Sequence, residues 1–169
     1  MMFSVQVGEA ARRLIVQHLE SQDVPCVWRD GALLIGADSE EAAQLAVDAF
    51  EVSDAVALRA AEVTTIAAEK RASVMGITHP AEMASWSIKE REAEQFLDDG
   101  TEGTMIAAEA TARGVTVQAI AQRIQANAIA FRALEAGIAG VAGKHRDALA
   151  ACTTFAEVAA YDITAGWPA

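Results

Sequence analysis

The chain has 169 residues, with 24 acidic against 13 basic side chains and a net charge of −11. A surface that negative repels phosphate backbones, and the basic residues at 69–71 and 89–91 alternate with glutamates, so nucleic acid is excluded as an expected partner. Hydrophobic residues reach 53% while aromatics reach only 5%, so close-set, alanine-rich helices in one domain or two small lobes are expected, and no membrane-spanning segment.

In chain order, Phe3-Ser4-Val5-Gln6-Val7 alternates apolar and polar side chains, as a short strand does. Residues 9–20 place Ala11, Leu14, Ile15, His18 and Leu19 on one helical face, and Pro25 stops that helix. Charges at Glu9, Arg12 and Arg13 come too early for a secretory leader, so a soluble protein made in the cytoplasm is expected. Residues 24–35 read as a β-hairpin turning at Asp30-Gly31, because a type I′ turn needs positive φ at both central positions. Asp38 and Glu41 have the spacing of a helix-capping box, and the helix they open should reach Phe50, burying Ala42, Leu45, Ala46, Ala49 and Phe50. A further helix over 54–75 is expected, with a strand at 54–58 as the alternative.

Gly76-Ile77-Thr78-His79-Pro80 is the clearest break, since glycine ends helices and proline begins them. It divides the expected fold into an N-terminal lobe, 1–76, and a C-terminal lobe, 77–169. The fold class is α+β and helix-dominated: a small α/β lobe with a β-hairpin, then an all-α lobe with one long helix. In the second lobe, 80–98 carries Met83, Trp86, Ala93, Phe96 and Leu97 on one face, and Asp98-Asp99-Gly100 ends it. A helix over 104–113 stops at Gly114. A long helix follows to about Cys152, then a short one opened by Thr154 and Glu157 at capping-box spacing, and an irregular tail.

The long helix carries a heptad seam: Val117, Ile120, Ile124, Asn127, Phe131, Leu134, Ile138, Val141, His145 and Ala148. Packing within the chain and an intermolecular coiled coil, including self-association through 115–151, both produce such a seam. An asparagine on it can set register or oligomeric state. Gly137, Gly140 and Gly143 suit a place where another backbone crosses closely or the helix bends.

No motif for chemistry emerges. His18, His79 and His145 lack the spacing of metal ligands, and Cys26 and Cys152 fit reduced thiols. There is no phosphate loop and no nucleophile elbow. No catalytic residue, cofactor or metal is expected. The candidate residues are for partner binding: Trp28 on the hairpin, Trp86, and Asn127, Phe131, Leu134, Ile138 and His145 on the seam.

The run Glu82-Met83-Ala84-Ser85-Trp86-Ser87-Ile88-Lys89-Glu90-Arg91-Glu92-Ala93-Glu94-Gln95-Phe96-Leu97 shows an aromatic, then Lys, then Glu-Ala pattern. Ala107-Ala108-Glu109-Ala110-Thr111-Ala112-Arg113-Gly114-Val115-Thr116-Val117 and the long helix follow it. This order, over about 78–160, resembles the C-terminal region of small tail accessory and tail-fibre assembly proteins of tailed phages and prophages. The resemblance implies a non-enzymatic protein that binds phage tail or fibre proteins, as a chaperone in the host cytoplasm or as a structural subunit of the virion tail. A small enzyme or ligand-binding protein is the reading from another class, and it requires an apolar pocket with convergent polar groups.

Overall fold

The computed structural model describes residues 1–75 and 80–168. They form three strands and seven helices: β1 (Met2–Val5), α1 (Arg12–Ser21), β2 (Cys26–Arg29), β3 (Ala32–Gly36), α2 (Glu40–Asp48), α3 (Val52–Met75), α4 (Pro80–Asp99), α5 (Thr104–Arg113), α6 (Val117–Ala150) and α7 (Phe155–Ala160). The helix-dominated α+β class with an N-terminal hairpin and one long late helix is therefore what the chain adopts. The break expected around 76–79 lies outside the described residues. The possible strand at 54–58 is part of α3.

The chain forms two compact units, one of 1–68 with 140–167 and one of 69–139 with 168–169. Segments of α3 and α6 thus belong to each.

In the first unit, the strands form an antiparallel sheet in the order β1-β3-β2. The hairpin turns where its dipeptide requires, with φ of +53° at Asp30 and +82° at Gly31. Val5, Leu33 and Ile35 are buried on one sheet face, and α1 buries Leu14, Ile15 and Leu19. The start of α2 differs from the expectation. Ser39, in extended conformation, is the cap, and its Oγ accepts from the Ala42 N–H at 3.1 Å. Asp38 lies one residue too early and Glu41 falls on the second helical position, so no capping box forms. The inward stripe is Ala43, Val47 and Phe50, at spacings of four and three, and Leu45 faces outward with 68% of its surface exposed. Phe50 stacks on Phe155 with centroids 5.4 Å apart, and the His18 ring lies 4.9 Å away.

The end of the first unit is irregular but fixed. His145, 4% exposed, has Nε2 3.0 Å from the Ala165 carbonyl and Nδ1 3.0 Å from the Tyr161 hydroxyl. A carbonyl can only accept, so Nε2 carries the proton, and in the neutral ring Nδ1 accepts from Tyr161. Arg59 donates from Nη2 to the Tyr161 carbonyl at 2.7 Å and pairs with Glu62, which also holds Arg13. Ile163 is buried, and the Trp167 indole donates to the Ile163 carbonyl at 2.8 Å. The α7 capping box forms as its spacing predicts, with Thr154 and Glu157 exchanging hydrogen bonds.

In the second unit, Ile106 and Ala110 of α5 and Ile120 of α6 form the buried cluster, and Phe96, Val117 and Ile124 pack around it. The stop at Gly114 has φ +66°. The acidic end of α4 also has a local cause: the Asp99 carboxylate accepts from the Thr101 N–H at 2.8 Å, next to Gly100 with φ +80°. The N-terminus of α5 is capped from a distance. Its cap residue, Gly103, has no side chain to offer, and Glu92 of α4 accepts from the Met105 and Ile106 N–H groups at 2.9 and 3.1 Å. Of the three α6 glycines, Gly137 alone has a close neighbour at its missing side chain, Pro168 at 3.1 Å; Gly140 and Gly143 face open space. The close approach is thus confined to one glycine, and it is to a proline ring rather than to another backbone.

Glu109 of α5 joins three helices. It accepts from Lys89 of α4 at 2.8 Å and from Arg113 at 2.6 Å, and Arg123 of α6 lies 3.9 Å away. The hydrogen bond from Lys89, then that from Arg113, holds its carboxyl below the usual carboxylate range. A carboxyl lowered on folding stabilises fully above its unfolded value, about 4.3, and the contribution is lost as pH falls through the lower folded value. Urea midpoints measured across the acid range should therefore fall less steeply below about pH 4 in Glu109→Gln than in the parent. Parallel acid limbs would show that the pairs contribute nothing.

Candidate functional site

The long helix is buried near its ends and open in the middle. Ile120 and Ala121 are buried, as are Ile138, Ala142, His145 and Leu149. Between these groups, Ala126, Asn127 and residues 129–133 are exposed, with Ala128 half-buried. Ile129 has 55% of its surface accessible and Phe131 39%. The Trp86 ring of α4 meets Phe131 edge-on, with centroids 6.2 Å apart and planes at 75°. Half-buried Trp86 thereby joins α4 to α6 within the chain. The Glu90–Arg132 pair joins the same two helices. Arg71 of α3 grips Glu135 through two nitrogens, with Nε 2.8 and 3.0 Å from the two carboxylate oxygens, and this contact lowers the pKa of Glu135. These pairs are solvent-exposed, so they orient side chains more than they stabilise.

The candidate residues are not gathered in one place. Trp86, Asn127, Phe131, Leu134 and Ile138 belong to the second unit, and Trp28 and His145 to the first. Trp28 is half-buried on β2, with the Arg12 guanidinium 4.0 Å from its ring centre. Ile138 and His145 are covered by the chain's own residues and Leu134 is half-buried, so the accessible part of the seam is Asn127 and Phe131. Sequence reasoning passed over Ile129 and the exposed Ile88 of α4. The signal was present for Ile129: a large apolar residue two positions off the seam of an amphipathic helix points to solvent.

No protein-family model, curated protein or solved structure matches the chain.

Its chemistry is therefore read from its own geometry. Among the described residues, no three metal-binding side chains converge, and no helix is long and apolar enough to cross a membrane. A cleft of about 260 Å³ opens in the first unit between Val7, Gly8, Ala11, Ile15, Phe50 and Phe155. Gln6 is the polar side chain on its wall, and no ionisable group lines it. Cys26 is half-buried with its sulfur 3.9 Å from the Val16 carbonyl, and burial, then the nearby Glu20 carboxylate, pushes its thiol pKa up. That setting disfavours the thiolate a nucleophile requires. Large apolar side chains are exposed on several elements, and two of them, Ile129 and Phe131, fall in the middle of α6.

Proposed function

We propose that this protein is a non-enzymatic phage tail assembly or accessory protein that acts by protein–protein contact. The observation that carries the reading is the open middle of α6, where Ile129 and Phe131, on different sides of the helix, lie exposed while its other large apolar side chains are buried or half-buried. Aromatic and aliphatic anchors on an ordered helix lose little entropy when a partner covers them. The resemblance over about 78–160 supplies the partner class, phage tail or fibre proteins, and it spans this stretch of α6. The chaperone reading is favoured, with a virion tail subunit as the second.

The test is genetic and compositional. Deleting the coding sequence from its phage or prophage should yield particles with missing or inactive tail fibres. Re-expression should restore them, and the Ile129→Asp/Phe131→Asp variant should not, although it keeps its helical circular dichroism. Ile129→Asp should change stability by no more than about 0.5 kcal/mol, and Phe131→Asp should cost about 1 kcal/mol more because it gives up the edge-on contact with Trp86. Absence from purified particles identifies a chaperone, and presence at fixed stoichiometry identifies a subunit. Normal, infectious particles from the deletion would overturn the proposal.

A further inference from the structure

We infer that the free edge of β2 pairs with the same edge of a second copy, joining two three-stranded sheets antiparallel about a two-fold axis. The inference is independent of the phage reading and of the α6 surface.

It begins with the ladder. In the hairpin, Arg29 pairs with Ala32 and Val27 with Leu34, and the Gly36 N–H donates to the Pro25 carbonyl at 2.6 Å. Backbone bonding alternates along an antiparallel strand, so Pro25, Val27 and Arg29 bond inward to β3. The N–H and C=O groups of Cys26 and Trp28 therefore point outward, and among the described residues they have no hydrogen-bond partner. Natural edges are often guarded by proline. Here Pro25 occupies an inward-bonding position and leaves the outer edge unguarded. Val27, at the centre of the strand, is 46% exposed.

Charge specifies the occupant. Arg12, Val16 and Glu20 are four apart on α1 and so share a helical stripe. That stripe runs beside β2: Arg12 lies over Trp28, the Val16 carbonyl is near the Cys26 sulfur, and the Glu20 charge acts on Cys26. The edge thus has a positive end and a negative end. Arg12 and Glu20 are both exposed, and neither has an ion-pair partner among the described residues. A two-fold rotation that puts Val27 opposite its symmetry mate puts Cys26 opposite Trp28 of the second copy. The outward groups of these two residues then exchange hydrogen bonds twice, and Arg12 faces Glu20 of the second copy, also twice. On the opposite face of the sheet, Arg29 comes opposite Pro25, two residues from Asp23 of the second copy. The pattern is self-complementary, as an isologous contact must be. The other free edge, β1, carries no charged residue to select a mate.

The test is light scattering on the full chain across a concentration series. The mass should rise toward twice the 17.8 kDa of one chain. Arg12→Glu and Glu20→Arg should each return it to the single-chain value, because each sets like charges face to face. The double exchange, Arg12→Glu with Glu20→Arg, should restore the doubled mass, and Phe131→Asp should leave it doubled. If either reversal loses helical circular dichroism, Arg12→Gln and Glu20→Gln replace it, with weakened association expected. A single-chain mass at every concentration, single reversals that still dimerise, or a double exchange that does not would overturn the inference.

Discussion

Replacing His145 with alanine is expected to lower stability by about 3 kcal/mol, the combined effect of a buried cavity and two abandoned hydrogen-bond partners. The imidazole fills space between α6 and the final residues, and it satisfies the Ala165 carbonyl and the Tyr161 hydroxyl at 3.0 Å each. Its ring also lies 5.5 Å from that of Trp167. Without it, the Ala165 carbonyl and the Tyr161 hydroxyl both lose that partner. Tyr161→Phe is the control. It removes one hydrogen bond and little volume, so it should cost about 1 kcal/mol. Urea unfolding measures both, and hydrogen exchange at residues 163–167 should quicken far more in the alanine variant. Equal losses in the two variants would show that packing by the ring counts for little.

The second large effect is expected at Gly103. A methyl group there would occupy the space of the Glu92 carboxyl, so Gly103→Ala must expel that side chain. The α5 N-terminus would then lose both charge-assisted hydrogen bonds, from Met105 and Ile106. Loss of a helix cap costs about 1 kcal/mol and up to about 2, and displacement of a part-buried carboxylate adds to it. The total should approach 2 kcal/mol even though alanine is the better helix former. Glu92→Ala should cost a similar amount, and the double variant scarcely more than either single, because both remove the same interaction. Additive losses in a thermal-melt cycle would mean that Glu92 and Gly103 act separately.

These two sites also mark where sequence reading reaches its limit. Asp30-Gly31, Gly114 and the Thr154–Glu157 box were legible because the cause lies within four residues of the effect. The face that Trp86 shares with Ala93 and Phe96 was legible from its helical spacing. The α5 cap was not, since its acceptor lies eleven residues before Gly103 and a glycine after a turn signals only an end. Leu45 was misplaced because a cap at Ser39 rather than Asp38 accompanies a different inward face, Ala43-Val47-Phe50. The seam could be read as a seam, but which stretches the chain would cover depended on α3, α4 and the last residues, none of which has a fixed spacing from it. His145 was flagged as a polar residue on the seam, but its partners, sixteen and twenty residues on, left no local trace.

The first unit is built from both 1–68 and 140–167, with all of the second unit but its last two residues lying between them in sequence. During synthesis, then, the sheet and its helices emerge long before the segment that seals them. The second unit is nearly continuous and has its core residues in hand by about 139. It can consolidate while the N-terminal part is still waiting for Leu149, Val158 and Ile163. Slow, late closure through contacts some hundred residues apart is the kinetic signature this order imposes. Chains released before residue 163 would present the unsealed apolar faces to chaperones and proteases.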